Sequence, residues 1–257
     1  MSAMDPSKKV VNWRQNHSHM KIALIGYGKM GRAIEEIALS RGHSIVLTIS
    51  TDNLADNTTA NLRQANIAIE FTGPDSAFDN IVRCLEAGVP VVCGSTGWLD
   101  KLETVRQICR QNDGAFLYAS NFSVGVNIFF EVNKRLAALM APHPDYQVRV
   151  TEIHHTEKRD APSGTAISLA GQILEKIHRK NRWVNHISDN LDELEIISER
   201  VDPAPGTHKI EYSSSIDTIE IIHTAHNRRG FATGAVLAAE FLLDKKGTFQ
   251  MSDVLGF

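Results

Sequence analysis

Lys21 to Gly42 reads KIALIGYGKMGRAIEEIALSRG, and this stretch restricts the fold more than any other in the chain. An apolar run of strand length meets a glycine turn, which opens a helical repeat closed by Gly42. Gly26, Gly28 and Gly31 fall in the spacing GxGxxG, with Lys29 and Met30 inside the turn. Between a strand and a helix, that spacing lets a dinucleotide pyrophosphate lie against backbone N–H groups where the helix dipole favours its charge. The alternative is a structural turn without a ligand, which leaves the strand and helix context as coincidence. The chain therefore reads as an α/β protein that binds NADH, NADPH or both.

Strands and helices keep alternating through SIVLTIS, IAIEFTG, the helix SAFDNIVRCLEAG, VPVVCGSTGW, the helix LDKLETVRQICRQNDG, and AFLYASNFS. This predicts a parallel sheet with helices on both faces and ligands at the C-terminal strand ends. Three segments end there, contributing Phe71 in FTGP, Gly94, Ser95 and Thr96 in GSTG, and Ala119, Ser120, Asn121 and Phe122 in ASNF. Small and hydroxyl residues suit the ribose and nicotinamide side of a cofactor, although each segment alone is also an ordinary turn. An acidic residue about twenty positions beyond the glycines would hold the adenosine ribose. Asp52 stands at that distance but two residues past the strand, in TDN, where Asp equally serves a turn. Lys29 and Arg32 flank the glycine turn and would meet a 2′-phosphate, so NADH against NADPH stays open.

The second informative stretch is EIHHTEKRDAPSGTA, from Glu152 to Ala166. DYQVRVTE before it alternates like a half-buried strand, and TAISLAGQILEKI after it has helical spacing, so the motif is a strand-to-helix loop. A helix start offers unpaired N–H groups and partial positive charge. Pro162 suits a first helical turn and Gly164 admits a ligand closely, while Ser163 and Thr165 add hydroxyls, making a carboxylate or phosphate site. Lys158 adds a full positive charge, and His154 and His155 can hold or release a proton near neutral pH. Together they fit an acidic small molecule that must be protonated. Adjacent strand residues point to opposite faces, so His154 and His155 share a site only if the chain leaves extended geometry between them. Taken singly, each of these residues also has a plain reading as a core or surface histidine, a solvated lysine or a helix cap.

With 257 residues and 42% hydrophobic content, the chain can bury one large or two modest cores. A formal net charge of −3 argues against a nucleic-acid scaffold. Cys84, Cys93 and Cys109 are not spaced as a metal site and suit a reducing cytoplasm. Cys93 beside GSTG allows one alternative, the nucleophile of an aldehyde-oxidising dehydrogenase, but VPVVC reads as a buried strand and that reading leaves the histidine loop unexplained. Met1 to His19 lacks the apolar run of a signal peptide and reads as a disordered extension or upstream leader, with Met20 opening the first strand; no membrane span occurs. NRWVNHISDNLDELE reads as a surface loop.

GYGKMG, CGSTGW, SNFSVGVN and EIHHTEKRDAPSGTA, in this order, closely resemble the 4-hydroxy-tetrahydrodipicolinate reductase (dihydrodipicolinate reductase) family, from about Met20 to the C-terminus. The HHxxKxDAPSGTA run is the most diagnostic part. The resemblance implies an N-terminal Rossmann domain over residues 20–122 and 230–257. It also implies a central α+β domain over 123–229 with an open mixed sheet that binds substrate and forms a homotetramer. VGVNIFFEVNKRLAALM would be the crossing helix, EIISER, THKIEYSSS and DTIEIIHTAH the further central strands, and RGFATGAVLAAEFLLDKK the returning helix. The resemblance makes His154 the proton donor, Lys158 a second acid, His155 a substrate contact, and Gly164 and Thr165 the turn that holds a carboxylate of a small dicarboxylate substrate. It also implies an NAD(P)H-dependent step in the diaminopimelate and lysine pathway. Many members carry an acidic residue at the end of the second strand, where this chain has Ser50 and Thr51 with Asp52 beyond. Two other readings are a different two-domain dehydrogenase acting on an amino-acid-derived acid and a non-catalytic NAD(P)H-binding regulator.

Overall fold

A computed structural model describes residues 18–227 and 229–257. The expected disorder of residues 1–19 lies outside the described residues except at its end, where His19 bonds Gly42 O through Nδ1 at 2.6 Å. The chain divides into two compact units, one running to Val124 and resuming at Arg229, the other spanning Gly125–Arg228.

The first unit contains β1 (Lys21–Ile25), α1 (Lys29–Ser40), β2 (Ser44–Ile49), α2 (Thr59–Leu62), β3 (Ile67–Glu70), α3 (Pro74–Glu86), β4 (Val91–Cys93), α4 (Leu102–Gln111) and β5 (Ala115–Tyr118). Its sheet is parallel throughout and ordered β11-β5-β4-β3-β1-β2, the edge strand β11 (Gly247–Phe249) coming from the end of the chain. Alternation along each strand divides the core. Ile22, Leu24, Ile67, Ile69, Val92 and Leu117 face one layer, which holds Ile34 and Ile37 of α1. Ala23, Ile25, Ala68, Val91, Cys93 and Phe116 face the other, against α3 and α4. These strands are buried on both sides, which is why they read as continuous apolar runs.

The second unit holds α5 (Val124–Met140), β6 (Gln147–His154), α6 (Gly164–Leu174), β7 (Arg182–Val184), β8 (Glu193–Arg200), β9 (Thr207–Ser213) and β10 (Thr218–Thr224). The order is β10-β9-β6-β8-β7, with β9 antiparallel to both neighbours and β8 parallel to β6 and β7. Val148, Val150, Leu194, Ile196, Ile210 and Tyr212 project from one face onto α5 and α6. The polar stretch read as a surface loop contains β7, whose three residues become a strand only by edge pairing with β8.

The chain then returns to the first unit through α7 (Arg229–Leu242), β11 (Gly247–Phe249) and α8 (Met251–Leu255). Helix α7 packs beside α1, and Glu240 on it takes Arg41 Nε and Nη2, both at 2.7 Å, and His43 Nε2 at 2.9 Å.

Candidate active site

The glycine turn is built by close approach. Gly26 has φ +99°, and a Cβ there would lie 2.1 Å from Phe71 O; a Cβ on Gly31 would lie 2.5 Å from Gly26 O. Gly28 has nothing within 4 Å of that direction and is the N-cap of α1, which begins at Lys29. Two glycines therefore serve packing, and the middle one leaves room for a ligand against the helix start. Met30 packs on the core and leaves the turn to Lys29.

The strand ends lock together beside this turn. Phe71 stacks on Phe122 with centroids 5.5 Å apart, and its ring fills the space a Cβ on Gly94 would need. Thr72 N donates to Ser95 Oγ at 2.8 Å and to Glu70 Oε1 at 2.9 Å. Asn121 Oδ1 accepts from Ser123 N at 2.9 Å. Ser95 and Phe122 are buried, so the side chains shape the site, while Thr96 and Ser120 stay exposed and Ala119 is half-buried. Asp52 is exposed and sits in a turn closed by Asn53, whose Oδ1 accepts from Ser50 N at 2.7 Å. Cys93 is buried, with its Sγ on Glu70 Oε2 at 3.0 Å, and burial pushes its thiol well above the usual range, which removes the nucleophile reading.

In the second unit β6 ends on His154, and the next helical element starts at Gly164. Ser163 is its N-cap, accepting from Ala166 N at 3.2 Å, so Pro162 precedes the cap and lies outside the expected first turn. His154 Nδ1 donates to Glu152 Oε2. Glu152 is wholly buried, and its Oε1 accepts from Arg200 Nη2 at 2.9 Å and Ser163 N at 3.3 Å. Burial pushes the Glu152 carboxyl up, but hydrogen bonds from His154, Arg200 and Ser198 outweigh it and hold the group down at about 2. Arg200 also binds the carbonyls of Lys158 at 3.3 Å and Asp160 at 2.7 Å, which staples the loop to β8.

His208, opposite Glu152 on β9, stands edge-on to His154 with centroids 5.2 Å apart. Burial, and then the His154 charge, lower its pKa to about 4, so it is neutral at pH 7, and its Nε2 shares a hydrogen bond with the Ser163 hydroxyl at 3.2 Å. Glu152, His154 and His208 bring ligating atoms within 4.8 Å of one another, a spacing a cation could use. Both Glu152 oxygens are already engaged, so the cluster as built is a proton network.

The structure separates the adjacent histidines. His154 is buried in this network, whereas His155 lines an open cavity of about 530 Å³ with Thr156, Glu157, Asp202, Pro203, Pro205 and Asn227. Lys158 Nζ bonds both Asp160 carboxylate oxygens, at 2.7 and 2.9 Å. Ser163 was expected to touch a ligand. Its amide and hydroxyl are instead turned inward on Glu152, Ala166 and His208, which leaves Gly164 and Thr165 as the outward-facing part of the helix start.

Residues 20–122 match the family described as "Dihydrodipicolinate reductase, N-terminus", and residues 125–255 match "Dihydrodipicolinate reductase, C-terminus". The chain belongs to the dihydrodipicolinate reductase family. Like the 4-hydroxy-tetrahydrodipicolinate reductase of Christiangramia forsetii, to which it is 51% identical over 92% of this chain and 98% of that one, it is an oxidoreductase. The same-named protein of Methanosarcina mazei is 32% identical over 91% of this chain and 89% of its own. The fold is that of a dipicolinate-bound dihydrodipicolinate reductase from Paenisporosarcina sp. TG-14, at TM-score 0.74 and 22% identity, covering 91% of this chain and 98% of that one. Reductases of this family bind NAD(P)H through the N-terminal domain, and the glycine turn described above fits that cofactor.

Four residues that shape the candidate site escape sequence reasoning: Glu152, Arg200, His208 and Asp160. Glu152 was within reach, because period-two alternation puts it on the face of His154. Arg200 and His208 depend on strand register, which pairs His154 with Arg200 and Glu152 with His208.

Proposed function

We propose that this chain reduces 4-hydroxy-tetrahydrodipicolinate, with loss of water, to tetrahydrodipicolinate in diaminopimelate and lysine biosynthesis, using NADH or NADPH. The observation that carries the reading is the buried His154, held by Glu152 in the loop that leads to the α6 N-terminus. When bound, the cofactor supplies the hydride that reaches carbon 4 of the conjugated ring. His154 gives the neighbouring carbon its proton. Lys158 assists at the substrate nitrogen or the departing hydroxyl, exchanging its contact with Asp160 for one with substrate. A substrate carboxylate takes the α6 start at Gly164 and Thr165, and His155 contacts the substrate from its own side of the loop. Gly26, Gly28, Lys29, Gly31 and the three strand ends hold the cofactor. The enzyme works in the cytoplasm as a homotetramer. No described helix is long and apolar enough to cross a membrane.

The test follows absorbance of NADH and of NADPH while substrate is made in situ from pyruvate and aspartate semialdehyde by the preceding enzyme. Wild type turns over with one or both cofactors, and His154→Gln loses about 10² to 10⁴-fold in kcat, the usual contribution of a general acid. Cofactor binding without turnover would overturn the reading.

A further inference from the structure

The nitrogen that releases the proton is set by what holds the other one. In the reading above His154 is the proton donor, and the present inference rests on it. Glu152 is two residues earlier on β6, so its side chain lies on the same face and reaches His154 Nδ1. An ionised carboxylate only accepts, so Nδ1 carries the proton of that bond. Among the described residues, charged and polar groups gather around the pair and its neighbour His208. Arg200 and Ser198 come from β8, His208 from β9 and His223 from β10 beyond it, while Ser163, Lys158 and Asp160 come from the loop. Arg200 fixes the second carboxylate oxygen, so the carboxylate cannot rotate away from the imidazole. His208 stays neutral, so it neither competes for Glu152 nor repels an imidazolium at His154. On the far side of the ring, Nε2 faces Gly206, where an added Cβ would lie 3.0 Å away.

We infer that Glu152 is a positioning residue for proton transfer: its carboxylate, clamped by Arg200, holds His154 in the Nδ1–H tautomer, so the proton leaves for substrate from Nε2. The N–H bond at Nε2 breaks, a C–H bond forms on substrate, and the imidazole left behind is neutral with its proton on Nδ1. Solvent returns the Nε2 proton before the next cycle. A ring whose neutral form keeps its proton on Nε2 holds back the proton that substrate needs, so the loss falls on kcat and leaves substrate affinity largely intact.

The experiment combines kinetics with ¹⁵N NMR of histidine-labelled protein, with the His154 resonances assigned by their loss in His154→Gln. Wild type is expected to show the Nδ1–H form when the ring is neutral. Glu152→Gln is expected to lose that preference and at least 10²-fold in kcat, with KM within about threefold and circular dichroism unchanged. Glu152→Asp, which keeps the charge, should recover part of kcat and the tautomer. A neutral wild-type ring protonated on Nε2 overturns the inference, even if Glu152→Gln fails to fold. So does a folded Glu152→Gln with wild-type kcat, or one that loses kcat while keeping the Nδ1–H form. Failure of the underlying reading looks different, because His154→Gln itself would then retain turnover.

Discussion

Gly206 shows how much a single residue decides at this site. Its φ of +155° lies outside the ordinary range for L side chains, and a methyl group there would press on His154 Nε2 at 3.0 Å. Gly206→Ala should therefore lower kcat at least tenfold while the NADH dissociation constant stays within about twofold, an outcome read by steady-state kinetics and fluorescence titration. His208 supplies a pH signature. Folded, it takes a proton only near pH 4, against 6.5 for the free side chain, because it is buried and faces His154. Between these values the unfolded chain binds a proton that the folded chain refuses. The stability is complete above pH 6.5 and declines as the pH falls through about 4. The corresponding loss from Glu152 comes lower, from 4.5 towards about 2. His208→Gln should then show a shallower fall of the urea midpoint between pH 6.5 and 4 than wild type; parallel curves would refute this. Among these residues the sequence showed the histidines and lysine of the loop, whereas the neutrality of His208 depends on burial that no local pattern displays.

Elements divide by length. Helix α5, which the family resemblance places at 124–140, is Val124–Met140, seventeen residues long. The strands β7 and β11, each of three residues, were not legible, since edge pairing with β8 and β5 creates them. Helix α8 escaped for the same reason and exists by burying Met251 and Val254. Tight crossings are also invisible to periodicity. A Cβ on Gly234 in α7 would stand 1.7 Å from Phe122 O, so this glycine sets the contact between the returning helix and the segment after β5. Gly234→Ala should destabilise the first unit by about 3 kcal/mol or more, seen as a lower thermal midpoint, and NADH should restore part of it by mass action. An unchanged midpoint would mean that α7 shifts without cost.

At the scale of the whole molecule, the second unit's sheet carries α5 and α6 on one face, and among the described residues no helix of that unit packs on the other. The other face presents paired charges, Arg149 with Glu195 at 2.5 Å and Lys209 with Glu220 at 2.6 Å, beside the exposed Ile222. If four copies associate through this face, light scattering at micromolar concentration should report four chains, and Ile222→Glu should shift the mass downward; a wild-type monomer would exclude the tetramer. What the amino-acid order determined by itself was local: the glycine turn between strand and helix, the alternation that specifies a parallel sheet, and the loop that holds His154 and Lys158. Each of these rests on neighbours in the chain or on a period of two or 3.6 residues. What only the tertiary structure decided was which side chains meet. Arg200 reaches Glu152 across 48 positions, and that contact exists because β8 and β6 pair in one particular register. Register is settled by burial summed over the whole sheet, so the proton network around His154 could be found only once the strands were in place.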